Sequence, residues 1–141
     1  MNKTALSQLG NFYGTENYIR QPLTGLLITD GVDFLRQNAD CFWLIDEIGF
    51  AQRQPAILHD KGNDLGQNLQ QMQFWTLRQQ TSPTSAVLIC ERDTGDVAWS
   101  KEIPYTDFPF DCFPNHEVRI WVAPTWCDSR KCMVAYLPSE H

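Results

Sequence analysis

Basic residues are scarce in this chain and nowhere clustered: eleven Lys and Arg are scattered among 141 positions, against seventeen Asp and Glu, for a formal net charge of −6. Tight binding to a phosphate backbone needs a concentrated excess of cations to release counterions, so nucleic acid is not an expected partner, nor is an anionic membrane surface. Missing too is any apolar run long enough to cross a bilayer. The opening MNKTALSQLGNF has one lysine and no apolar stretch, so it does not read as a secretory signal. The cytoplasm is the expected location, and there the five cysteines, an odd number, read as reduced thiols used as small hydrophobes. Histidine is limited to His59, His116 and His141, which leaves few bases to activate a Ser or Cys.

What is present fits one globular domain over residues 1–141, long enough to bury a core without disulfides or metal. Hydrophobic residues make up 43% and charged residues 20%, so wholesale disorder is not expected. Five tryptophans, Trp43, Trp75, Trp99, Trp121 and Trp126, are dispersed along the chain, which suggests core use before a stacking platform.

Residues 1–28 read as turns followed by a short helix or strand. In TDGVDFLRQNAD, Thr29 or Asp30 can cap a helix and Asp33 lies in its first turn, near the positive end of the dipole. From Cys41 onward, Cys41, Leu44, Ile45, Ile48 and Ala51 fall at i, i+3, i+4, i+7 and i+10, one face of a second helix that ends before Pro55. Residues 54–71, rich in Gln, Asn and Gly, suit a long, exposed and mobile connection. Strand patterns follow. MQFWTLR alternates, SAVLICER is a continuous apolar run, DVAWSKEI follows a DTG turn with Gly95 where positive φ is needed, and EVRIWVAP and CMVAYLP flank the short DSRK loop. Helices first and strands after predict an α+β fold: N-terminal helices packed on one face of an antiparallel sheet of about five strands.

CFWLIDE invites comparison with the magnesium-holding strand of a P-loop ATPase. That chemistry also needs a glycine loop ending in Gly-Lys-Ser/Thr, which KGNDLGQ lacks, and the helical spacing contradicts a strand. Asp46 lies on the aromatic side of the predicted helix, with Arg53 further along the same side. It reads either as a structural ion pair or hydrogen-bonded bridge, or as the acid or base of a small hydrolase-like enzyme. Cys112, His116, Cys127 and Cys132 are spaced C-x3-H-x10-C-x4-C, a set of zinc-compatible ligands without the tight C-x-x-C pair. The alternative is small core residues, with Cys127 and Cys132 facing one another across a hairpin, where oxidation could join them.

The segment IPYTDFPFDCFPN holds three prolines, and Tyr105, Phe108, Phe110 and Phe113 alternate there with Asp107 and Asp111. One reading is a loop that wraps the sheet and closes the core. The other is a rigid acidic-aromatic patch, with Tyr105, Asp107, Phe108 and Phe110 contacting a protein partner at little entropic cost.

TDGVDFLRQNADCFWLIDEI, then QFWTL, YTDFP and LPSE, in that order, resemble a family of small uncharacterised bacterial proteins, frequent in cyanobacteria and on phage or plasmid DNA, classed as a domain of unknown function. The resemblance runs from about Phe12 to the end and implies a compact α+β fold. It supplies no catalytic residue, cofactor or substrate. Together these readings lead to a non-enzymatic accessory protein that binds another protein or a second copy of itself, needs no cofactor, and touches neither nucleic acid nor membrane. The two alternatives are the Asp46 enzyme and a zinc-stabilised binding domain.

Overall fold

Among the described residues, one mixed sheet of seven strands organises the fold, in the order β1-β2-β7-β6-β3-β4-β5. A computed structural model describes residues 1–13 and 17–141. The strands are β1 (Tyr18–Arg20), β2 (Leu27–Thr29), β3 (Gln73–Gln79), β4 (Ala86–Glu91), β5 (Val97–Ile103), β6 (Glu117–Cys127) and β7 (Arg130–Tyr136). The α-helices are α1 (Lys3–Leu6), α2 (Asp30–Asn38), α3 (Phe42–Ala51) and α4 (Pro55–Leu58). The turns expected in the first 28 residues include positions 14–16, which lie outside the described residues.

Both long helices form where the sequence places them. The Thr29 hydroxyl accepts from the Val32 N–H and caps α2, whose first turn carries Asp30 and Asp33. Asp40 then turns the chain with a φ of 50°. Helix α3 buries the flank set by its spacing: Cys41, Leu44, Ile45, Ile48 and Ala51 all lie in the core. Each fully buried Leu or Ile there contributes about 1.5–3 kcal/mol. They pack with Trp75, Leu77, Leu88, Ile120 and Val122 from the sheet, so the helices cover one face only.

All five expected strands form, and Gly95 takes a φ of +84° in the β4–β5 turn. The sheet is nevertheless larger than expected and not purely antiparallel. β1 and β2 add two strands, and β2 pairs parallel with β7, Leu27 beside Val134 and Ile28 beside Ala135. At three residues each, these strands are too short for alternation to be read, and β2 is buried throughout. Their pairing is dictated from the far end of the chain, by β7.

The connection over residues 54–71 is packed rather than exposed throughout. Ile57 and Leu69 are fully buried, and Asp60 pairs with Arg92 of the β4–β5 turn while accepting the Leu69 N–H at 2.9 Å. The arginine holds the Asp60 carboxyl below its ordinary value, chiefly through their hydrogen bond. Further along, Asn63 donates to Asp96 at 2.9 Å and Gln67 to Asp93 at 3.0 Å.

Candidate functional site

Among the described residues, no α-helix covers the sheet face away from α2 and α3. Register places Phe74, Thr76 and Arg78 of β3 on it, beside Trp121, Arg119 and Glu117 of β6. Tyr136 of β7 lies opposite Trp121. An aromatic row therefore crosses the uncovered face. Phe74 and Trp121 meet edge to face at 5.3 Å, Trp121 and Tyr136 at 6.2 Å, and His141 closes the row 5.2 Å from Trp121 and stacked 5.8 Å from Tyr136. Such T-shaped contacts add about 0.5–1.5 kcal/mol beyond burial. The Tyr136 hydroxyl and His141 Nδ1 share a hydrogen bond of 2.9 Å, and desolvation raises the Tyr136 phenol above its ordinary value.

A cleft lies toward each end of the row. The larger, about 410 Å³, is lined by Phe74, Thr76, Arg78, Arg119 and Trp121, with Glu91 and the turn residues Asp93, Thr94 and Gly95 as its far wall. Glu117 sits between the two guanidiniums, 3.8 Å from Arg78 Nε and 3.3 Å from Arg119 Nε. The wall is fixed from behind by the Gln67 and Asn63 bonds to Asp93 and Asp96, and by Glu91, which accepts the Gly95 N–H at 2.7 Å. The smaller, about 290 Å³, is lined by Tyr18, Thr29, Val134, Tyr136, Glu140 and His141 among others. Glu140 ties the end of β2 to the segment after β7 there: its carboxylate accepts from the Thr29 hydroxyl at 2.7 Å and from the Leu137 N–H at 2.9 Å. Clefts of this size suit a side chain or small ligand, with flat rings for contact and guanidiniums for a carboxylate.

The residues singled out from sequence are distributed elsewhere. Asp46 is half-buried on α3 and lines neither cleft. Arg53 donates instead to the Leu23 carbonyl at 3.2 Å, and Glu47 pairs with Lys101 at 2.8 Å. The segment 104–116 divides: Tyr105 is 73% exposed and Asp107 is exposed, whereas Phe108 and Phe110 are 4% and 2% exposed. Those two rings cannot form a contact patch, because they pack against each other, tilted at 4.9 Å, inside the core. The loop closes the core, with Thr106 bonded to the Thr84 carbonyl at 2.7 Å.

The four possible zinc ligands are not brought together. Cys112 packs against the core and His116 bonds Gln79, whereas Cys127 and Cys132 flank the β6–β7 turn. Among the described residues, no group of three or more His, Cys, Asp or Glu could hold a metal ion. Cys41 and Cys90 are buried thiols; burial pushes Cys41 up to about 12 and raises Cys90 as well, which leaves both inert. Among the described residues, no helix is long and apolar enough to cross a membrane.

Sequence reasoning missed the aromatic row. Its signal was present as alternation: Phe74 and Arg78 at one parity of β3, Glu117, Arg119 and Trp121 at one parity of β6. Without the strand order, nothing in the pattern says that these parities share a face. No curated protein and no solved structure matches the chain. A family match does, over residues 3–141, and by it the chain belongs to DUF6876, a family of unknown function.

Proposed function

We propose that the chain is a non-enzymatic accessory protein that binds a protein partner through its uncovered sheet face. The observation that carries this reading is the row Phe74, Trp121, Tyr136 and His141 with Arg78 and Arg119 alongside it. Half-buried rings beside arginines resemble the anchors that dominate protein interfaces. The occupant that fits the larger cleft is a peptide segment with an aromatic or aliphatic side chain, seated against Phe74 and Trp121, and a carboxylate within reach of Arg78 and Arg119. Glu117 already lies between the two guanidiniums and Glu91 and Asp93 form the far wall, so an incoming carboxylate takes the place of Glu117 at Arg78 and Arg119.

The test is selection from a random peptide display library against the purified protein. Selected peptides should carry an acidic residue next to an aromatic or aliphatic one. Trp121→Ala should weaken them by about 2 kcal/mol, roughly thirtyfold, and Arg119→Ala should weaken them too. Thermal melts of both variants separate lost binding from lost folding. A second reading places the contact at Tyr105 and Asp107, supported by the exposure of that ring. Peptides that lose affinity with Tyr105→Ala and are indifferent to Trp121→Ala would favour the loop and refute the sheet face.

A further inference from the structure

The turn between β6 and β7 assembles a site that the open clefts do not use. Asp128 and Ser129 take φ of 51° and 64°, so a two-residue turn sets Cys127 opposite Arg130 and Thr125 opposite Cys132. Cys127 and Cys132 thus lie diagonally on one face of the hairpin. β3 pairs with β6 only as far as Val122, and β2 with β7 only at Val134 and Ala135, so ladder hydrogen bonds to β3 and β2 stop short of the hairpin end that carries both thiols, while Cys132 packs with Leu27 and Val134 and Cys127 lies against that cluster. Neither cysteine is in a disulfide.

Cations gather at one of the two sulfurs. Arg20 Nη2 approaches Cys132 Sγ at 3.8 Å, while its Nη1 is held by the Gly25 carbonyl at 3.2 Å. Cys132 is otherwise buried, and it opens onto a cleft of about 240 Å³ shared with Arg20, Arg130 and Lys131. The Arg20 hydrogen bond holds the Cys132 thiol below its ordinary value, whereas burial and then the neighbouring Cys132 charge raise Cys127. The two sulfurs are therefore inequivalent: one disposed to be a thiolate, the other to donate its S–H toward it.

We propose that Cys132 and Cys127 act as attacking and resolving thiols in exchange with small carboxylate-bearing disulfides, which Arg20, Arg130 and Lys131 hold. The Cys132 thiolate attacks one sulfur of the small disulfide; that S–S bond breaks, and the released thiolate takes a proton from water. Cys127 then loses its proton to solvent and attacks Cys132 Sγ in the mixed disulfide, forming the Cys127–Cys132 bond and expelling the second small thiol. The two protein thiols are oxidised, and one small disulfide is reduced to two thiols.

The experiment is intact-mass spectrometry with peptide mapping of the full chain after incubation with oxidised glutathione. The cationic disulfide cystamine, at equal concentration, is the comparison. Wild type should lose two hydrogens and yield a 127–132 cross-linked peptide. Cys127→Ser should retain one glutathione adduct on Cys132, Cys132→Ser should stay unmodified, and Arg20→Gln should react about tenfold more slowly through its smaller thiolate fraction. An adduct on Cys127 or Cys112 in preference to Cys132, equal rates with cystamine, or a trapped adduct in wild type that Cys127 fails to resolve would each overturn the proposal. Circular dichroism of the Cys127→Ser protein confirms that the adduct forms on folded chain.

Discussion

Replacing Asp60 by Asn removes a nearly buried charge from the joint between the 54–71 connection and the β4–β5 turn. The Asp60 side chain is 2% exposed, and Arg92 approaches both its oxygens from Nε at 3.0 Å and also bonds it from Nη2. Removing one partner of a buried pair costs about 3–5 kcal/mol. Here two contacts soften the loss: Arg92 keeps Asp96 at 3.0 Å, and the asparagine oxygen still accepts the Leu69 N–H. The expected cost is therefore about 2–3 kcal/mol, read as a shift in the urea midpoint. Local opening should follow, seen as faster hydrogen exchange at the Leu69 amide. The pH dependence has a definite sign. Because Arg92 lowers the folded carboxyl below its unfolded value of about 3.9, the pair stabilises fully above that value and loses its contribution as pH falls through the folded one. The Asn variant should lack that part of the acid limb. Stability within about 0.5 kcal/mol of wild type, a difference typical of surface changes, would refute the claim that this ion pair pins the connection.

Phe110→Ala should destabilise the fold by about 3–5 kcal/mol, whereas Tyr105→Ala should leave the urea midpoint within about 0.5 kcal/mol; equal effects would contradict the division of that loop into core and surface. Gly31→Ala would set a Cβ 2.5 Å from Glu140 Oε1 and 2.9 Å from Leu137 Cδ1, so a loss of about 1–3 kcal/mol is expected in thermal or chemical unfolding.

Local patterns in the sequence were enough for the two long helices and five of the strands, because each carries its own signal over six or more residues, whether spacing, caps, alternation or an unbroken apolar run. Cys41 to Ala51 announced its buried flank, and Gly95 its turn. What stayed hidden depended on distant partners. β2, with three buried residues in a row, becomes a strand only because β7 lies beside it. Phe108 and Phe110 looked like candidates for a surface because proline-rich composition does not report which rings turn inward. The aromatic row is the same problem on a larger scale: Phe74, Trp121 and Tyr136 come from three strands, and their adjacency follows from strand order alone. Asp60 and Arg92, 32 positions apart, could not be paired by spacing at all.

The bond from Glu140 to Thr29 joins positions 111 apart, and the same two regions sit side by side as β2 and β7. Helix α2 starts at that joint, so its first turn gains its outer support only after the final strand has docked. Contacts of such long sequence separation carry a high loop-closure cost, so this joint is expected to be among the slower parts of the fold to form. Replacing Glu140 by Ala would accordingly be felt more than a hundred positions away, as an unfastened start of α2.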